Sequence, residues 1–148
     1  MSRVLIINGP NINLLGSREK DVYGAMSYDE LCEKLESEAA NLGDELAIFQ
    51  SNHEGELVDR IQSAPAEFDV IIINPGGYTH TSVAIRDALL AVDMPCIEIH
   101  ISNVHKREEF RKHSYISDIA DGVIAGLGTD GYFLALRGAQ SVVKAHKK

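Results

Sequence analysis

Five short β-branched runs, separated by longer amphipathic stretches, constrain this chain more than any other feature of its 148 residues. The runs Arg3–Ile7, Glu45–Gln50, Asp69–Asn74, Pro95–Ile101 and Gly122–Ala125 are mostly rich in Val and Ile and read as strands. Between the first two, Ser27-Tyr28-Asp29-Glu30 is a capping box, followed by Leu31, Leu35, Ala39 and Leu42 on one helical face, and Gly43 stops the helix. A second helix is expected over about Gly55–Ser63, with Leu57, Val58 and Ile61 inward and Pro65 at its end. A third, about Ser82–Val92, carries Val83, Ile85, Leu89 and Val92. A short charged helix is expected around Lys106–His113, anchored by Phe110. The last spans about Thr129–Ala145 and packs Phe133, Leu136, Val142 and Val143, with a frayed tail at about 145–148. Without hairpin signals between them, such strands form a parallel sheet that must be covered on both faces. The expectation is one domain, a doubly wound α/β fold with a five-stranded sheet.

Composition narrows the function. Apolar residues at 45% and charged residues at 24% suit a soluble globular chain, and a net charge of −8 repels polyanions, which argues against a nucleic-acid partner. No apolar run approaches the roughly 20 residues of a bilayer span. The start, Val4–Ile7 followed by Asn8-Gly9-Pro10, lacks the layout of a secretory signal, so the cytoplasm is expected. Cys32 and Cys96 are too isolated for a disulfide framework or a zinc motif and read as buried, reduced thiols.

Ligands of doubly wound sheets sit at the carboxyl ends of the strands, where strand order reverses. The loops leaving strands one, three and four begin Asn8-Gly9-Pro10-Asn11, Asn74-Pro75-Gly76-Gly77-Tyr78-Thr79-His80 and Glu98-Ile99-His100-Ile101-Ser102-Asn103. Neither Gly-rich phosphate motif is present, and Pro10 removes a backbone donor such a cradle would use. A phosphoryl-accepting receiver would need carboxylates where Asn8 and Asn74 stand, and a flavin site would want aromatics in a chain that has no Trp. Glu98 and His100, two apart on a strand, share a face, so the carboxylate can orient the imidazole and favour its protonated, acid form. The same two residues would also make a partly buried ion pair that stabilises the strand end. His80 and His105 lack metal-ligand spacing, and no metal is expected. The connection from Gly16 to Gly24 is long enough for a lid. In it, Arg18 could hold the Tyr23 phenol ionised as a base, or the two could be a solvated charge and a loop anchor.

Four separated motifs resemble type II 3-dehydroquinate dehydratases. They are Gly9-Pro10-Asn11-Ile12-Asn13-Leu14-Leu15-Gly16-Ser17-Arg18-Glu19 with Tyr23-Gly24, Ser51-Asn52-His53-Glu54-Gly55-Glu56-Leu57, Asn74 through Ser82, and Glu98 through Asn103. The match continues through Arg107-Glu108 and Arg111 to Gly126-Leu127-Gly128 and Gly131-Tyr132. The resemblance implies a flavodoxin-like fold and loss of water from 3-dehydroquinate through an enolate, with neither metal nor organic cofactor. It implies Tyr23 as the base, Arg18 as the residue that keeps its phenolate charged, and His100 as the acid held by Glu98. Asn11 would position a water that donates to the enolate oxygen. The substrate carboxylate falls to Ser102, the amides of Ile101 and Ser102, and Asn74, and the ring hydroxyls to Arg111 and His80. Ordinary loop capping is the plainer role for Asn74 and Ser102.

The family assembles as dodecamers of trimers, with a residue matching Asp87 reaching a neighbour's site; beside Arg86, Asp87 could equally be a solvated helix carboxylate. Lys20 replaces a Pro common after the Arg-Glu pair, which favours a more mobile lid. No Lys lies in a predicted strand, which argues against the lysine Schiff base of the other dehydroquinase family. A flavodoxin-like binding module without turnover is the alternative class.

Overall fold

The computed structural model describes residues 1–17 and 26–146, so Arg18 and Tyr23 and most of the expected lid lie outside the described residues. The strands are β1 (Arg3–Asn8), β2 (Glu45–Gln50), β3 (Val70–Asn74), β4 (Cys96–His100) and β5 (Gly122–Ala125). The helices are α1 (Tyr28–Asn41), α2 (Glu54–Ser63), α3 (Val83–Val92) and α4 (Asp130–His146). All four strand pairings are parallel, in the order β2-β1-β3-β4-β5. This is the flavodoxin-like order, and it reverses between β1 and β3.

Alternation along the strands divides the core in two. Val4 and Ile6 of β1, Val70 and Ile72 of β3, and Ile97 and Ile99 of β4 pack under α1 and α4, meeting Leu31, Leu35, Ala135 and Leu136. Leu5, Ile7, Ile71, Ile73 and Cys96 face the other way, onto Leu57 and Ile61 of α2 and Ile85 and Leu89 of α3. The same alternation turns Glu98 and His100 toward the α2–α3 side.

The local signals act as read. Ser27 Oγ accepts from the Glu30 amide at 3.1 Å and caps α1, and Ser82 Oγ does the same for the Ile85 amide at 2.9 Å on α3. Pro65 falls in a short 3-10 turn, Ala64–Ala66, directly after α2.

Several expectations are corrected. The charged stretch Lys106–His113 is no helix but two 3-10 turns, Val104–Lys106 and Glu109–Arg111, separated by extended backbone at Arg107 and Glu108. It lacks an apolar stripe to dock, and a segment that short does not hold a helix unaided. Phe110 anchors nothing; it is 64% exposed, with the Arg111 guanidinium 5.0 Å from its ring centroid. Val83 is exposed because the buried stripe of α3 is Ile85, Ala88 and Leu89, and Val83 lies about 200° around the helix from Ile85. Leu42, at the C-cap of α1, is exposed as well. Cys96 is buried, but Cys32 is only half-buried. At the chain's end α4 runs through His146, whose Nε2 lies 3.0 Å from the Asp93 carbonyl. No helix among the described residues is long and apolar enough to cross a membrane.

Candidate active site

The β1 and β3 exits are locked together where strand order reverses. Asn8 stands opposite Asn74 in the register, and Tyr132 of α4 reaches between them from below the sheet. Its hydroxyl donates to Asn8 Oδ1 at 2.6 Å and accepts from Asn74 Nδ2 at 2.9 Å. Burial pushes the Tyr132 phenol well above its usual range, so it remains a donor. Asn74 Oδ1 accepts from the Gly76 amide at 3.1 Å, which shapes the turn above β3. A Cβ on Gly9 would lie 2.4 Å from the Pro75 carbonyl oxygen, so only glycine lets the two loops approach this closely. Asn11 has a left-handed backbone (φ 71°), and its amide donates to Asn52 Oδ1 at 3.0 Å, which fixes it at the rim.

β4 supplies the chemistry. Glu98 is 0% exposed, yet both its oxygens are occupied by donors. Oε2 accepts from Thr79 Oγ1 at 3.0 Å, from Ser114 Oγ at 2.9 Å and, through a short contact, from His100 Nε2. Oε1 accepts from Ser117 Oγ at 2.5 Å. Burial alone would push the carboxyl pKa up, but the hydrogen bonds from His100, Ser117 and Ser114 outweigh it, and the net direction is down. Glu98 is therefore an anion at neutral pH. Because a carboxylate only accepts, His100 Nε2 carries the proton of their bond, which leaves Nδ1 available to the cleft.

A cleft of about 180 Å³ opens over these strand ends. Asn11, Asn74, His80, His100, Ile101, Ser102 and Arg111, all expected on sequence grounds, line it together. His80 Nδ1 lies 2.8 Å from the His113 carbonyl, so it donates there, and desolvation lowers the ring's pKa. His80 is therefore neutral, with Nε2 left as an acceptor. Arg111 Nε donates to Glu108 Oε2 at 3.0 Å, which orients the guanidinium. Asp87 is exposed on α3 and does not line this chain's own cleft. No group of three potential metal ligands converges among the described residues.

Sequence reasoning gave no role to Arg107, which lines the cleft and whose Nη1 lies 3.4 Å from Ser102 Oγ. It also missed the supports: Tyr132, the Thr79, Ser114 and Ser117 hydroxyls, and Asn52. Tyr132 entered only as part of the motif match, outside the apolar residues expected to pack on that helix. The serines lie in a loop whose contact with Glu98 only the fold creates.

Sheet order, the two bridged Asn residues at the switch point and a buried carboxylate–imidazole pair beside a cleft lined by two arginines define a flavodoxin-like domain with a polar cleft at its strand ends. Comparison makes this specific: the model for dehydroquinase class II matches residues 2–140, and the chain belongs to that family. It is 58% identical over 142 residues to a 3-dehydroquinate dehydratase of Polynucleobacter necessarius subsp. necessarius (strain STIR1), covering 95% of each chain. It is 57% identical to a catabolic 3-dehydroquinase of Verticillium alfalfae, covering 97% of this chain and 95% of the relative. The crystal structure of a type II dehydroquinase from Butyrivibrio crossotus superposes with a TM-score of 0.92 at 46% identity, over 93% of this chain and 97% of that one.

Proposed function

We propose that the chain is a 3-dehydroquinate dehydratase, a hydro-lyase that removes water from 3-dehydroquinate to give 3-dehydroshikimate without a cofactor. The observation that carries this reading is His100, paired to the buried Glu98, in the lining of a cleft that also presents Arg107 and Arg111. The elimination needs a base for the proton α to the ketone, a donor for the enolate oxygen and an acid for the departing hydroxyl. Tyr23 is the base, with Arg18 stabilising its phenolate. Burial pushes the phenols of Tyr28 and Tyr132 up, so both stay protonated and neither competes for that role. Asn11 holds a water against the enolate oxygen. His100 gives a proton to the leaving hydroxyl, which departs as water, and Glu98 offsets the imidazolium charge until that transfer.

The substrate carboxylate is held by Ser102, the amides of Ile101 and Ser102, and Asn74. Arg111 and neutral His80 bind ring hydroxyls, His80 by accepting through Nε2. In the same reading the protein is cytoplasmic and assembles as a dodecamer of trimers, with Asp87 reaching the neighbour's cleft.

The purified protein mixed with 3-dehydroquinate is expected to raise the ultraviolet absorbance of the conjugated enone, and treatment with borohydride in the presence of 3-dehydroquinate, followed by removal of both, should leave the rate unchanged. Loss of the rate after borohydride would mean a Schiff base, and no rise from folded protein would move the reading to a binding module.

A further inference from the structure

The loop between the 3-10 turn Glu109–Arg111 and β5 plays no part in the mechanism above, yet two of its hydroxyls, those of Ser114 and Ser117, converge with that of Thr79 on one buried carboxylate. Ser117 Oγ donates to Glu98 Oε1 at 2.5 Å. Ser114 Oγ accepts from the amides of Ile116 at 3.1 Å and Ser117 at 3.3 Å, which uses both of its lone pairs. Its single proton must then go outward, either to Glu98 Oε2 at 2.9 Å or to Thr79 Oγ1 at 2.7 Å. In the second case Thr79 passes its own proton to Oε2 at 3.0 Å, so each arrangement delivers a donor to the carboxylate.

The loop is itself clamped. Ile116 is fully buried, the Tyr115 amide donates to the Thr79 carbonyl at 2.8 Å, and Arg86 Nη1 on α3 donates to the Tyr115 carbonyl at 2.7 Å and to Asp118 Oδ1 at 2.5 Å. Hydroxyls held this firmly do more than fill space beside a carboxylate.

We propose that Ser117, backed by the Ser114–Thr79 hydroxyl pair and fixed by the Arg86 clamp, is a positioning residue that keeps Glu98 ionised and its Oε2 turned to His100, so that the proton of the pair stays on the imidazole. This rests on the dehydratase reading for its link to turnover. Among the described residues, the titratable groups facing Glu98 are His100 and Cys96 on β4 and His80 on the turn after β3. Burial drives the Cys96 thiol up and keeps it neutral, and His80 is neutral too, so His100 is the group with which Glu98 exchanges a proton. Without the Ser117 hydroxyl, Oε1 is buried with one donor fewer, and the carboxylate takes up a proton at higher pH.

The test compares Ser117→Ala and Ser117→Thr in the full-length protein. Ser117→Ala is expected to lower kcat about tenfold, the worth of one hydrogen bond to a charged group, while KM stays within about twofold. The acid limb of the rate profile should move up by about one pH unit, and Ser117→Thr should restore both. Ser117→Cys, close to serine in shape but with only a weak S–H donor, should shift the same limb, which keeps the test open if Ser117→Ala does not fold. In parallel, 15N NMR of the His100 ring follows its protonation without any substrate, and Ser117→Ala should change that titration. An unchanged acid limb and an unchanged His100 titration would overturn the proposal, as would a loss that appears in KM alone. If the wild type does not turn over 3-dehydroquinate, the dehydratase reading fails, and the NMR titration still decides the role of Ser117.

Discussion

Glu98 is a charge placed where charge is costly, and its neighbours explain how it survives. An ionised carboxylate in an apolar interior costs several kcal/mol unless its oxygens are hydrogen-bonded. Here His100, Ser117, Thr79 and Ser114 supply the donors. Because the folded pKa lies below the unfolded one, the unfolded chain takes up the proton first. The resulting stabilisation is complete above the ordinary carboxylate range, about 4.3, and is lost as pH falls through the depressed folded value. Glu98→Gln is therefore expected to flatten the dependence of stability on pH below about 4.5, as measured by chemical denaturation at several pH values. An unchanged acid slope in that variant would show that the charge does not feed into folding. The pairing itself was legible in the sequence, because positions two apart on a strand share a face. The hydroxyls around it were not, since Ser114 and Ser117 lie in a loop with no periodicity to read.

At the scale of elements, the site depends on how closely two loops approach. Gly9 meets Pro75, and Gly76, at φ +61°, meets the Pro10 carbonyl with a would-be Cβ at 3.1 Å. Gly9→Ala sets a methyl against backbone that has nowhere to move, and should cost about 1–3 kcal/mol by the measure of an overpacked core. It should also splay the β1 and β3 exits. Thermal denaturation checks the first effect and the affinity of a substrate-like carboxylate the second; a variant as stable and as tight as the wild type would contradict the interlock. Strands were readable almost to the residue, since β2 and β5 fall at the expected bounds. The helix expected from Lys106 to His113 does not form because its one apolar anchor, Phe110, stays exposed, and only a docked apolar stripe makes a helix so short stable.

Over the whole molecule, charge and apolar surface are unevenly placed. The chain carries a net charge of −8, yet Arg107 and Arg111 face one cleft, which gives that mouth a local attraction for an anion. Val83 and Leu90 lie exposed on α3 and Val123 on the edge strand β5, apolar surface that the proposed assembly would have available to bury. Sedimentation equilibrium is expected to return a particle several times the 16.2 kDa chain mass, and Leu90→Asp to reduce it. A monodisperse monomer would remove the assembled state from the proposal.

By itself the sequence determined the strands, the four helices that cover them and the doubly wound class, because each rests on local periodicity, caps and turns that neighbouring residues specify. It also placed Glu98 beside His100. Only the tertiary structure decided that Tyr132, far along the chain, would brace Asn8 against Asn74, and that hydroxyls from two separate loops would converge on Glu98. These contacts join residues up to 124 positions apart. Their partners are chosen by the order in which strands pair and by the face each helix covers, and no local signal encodes either.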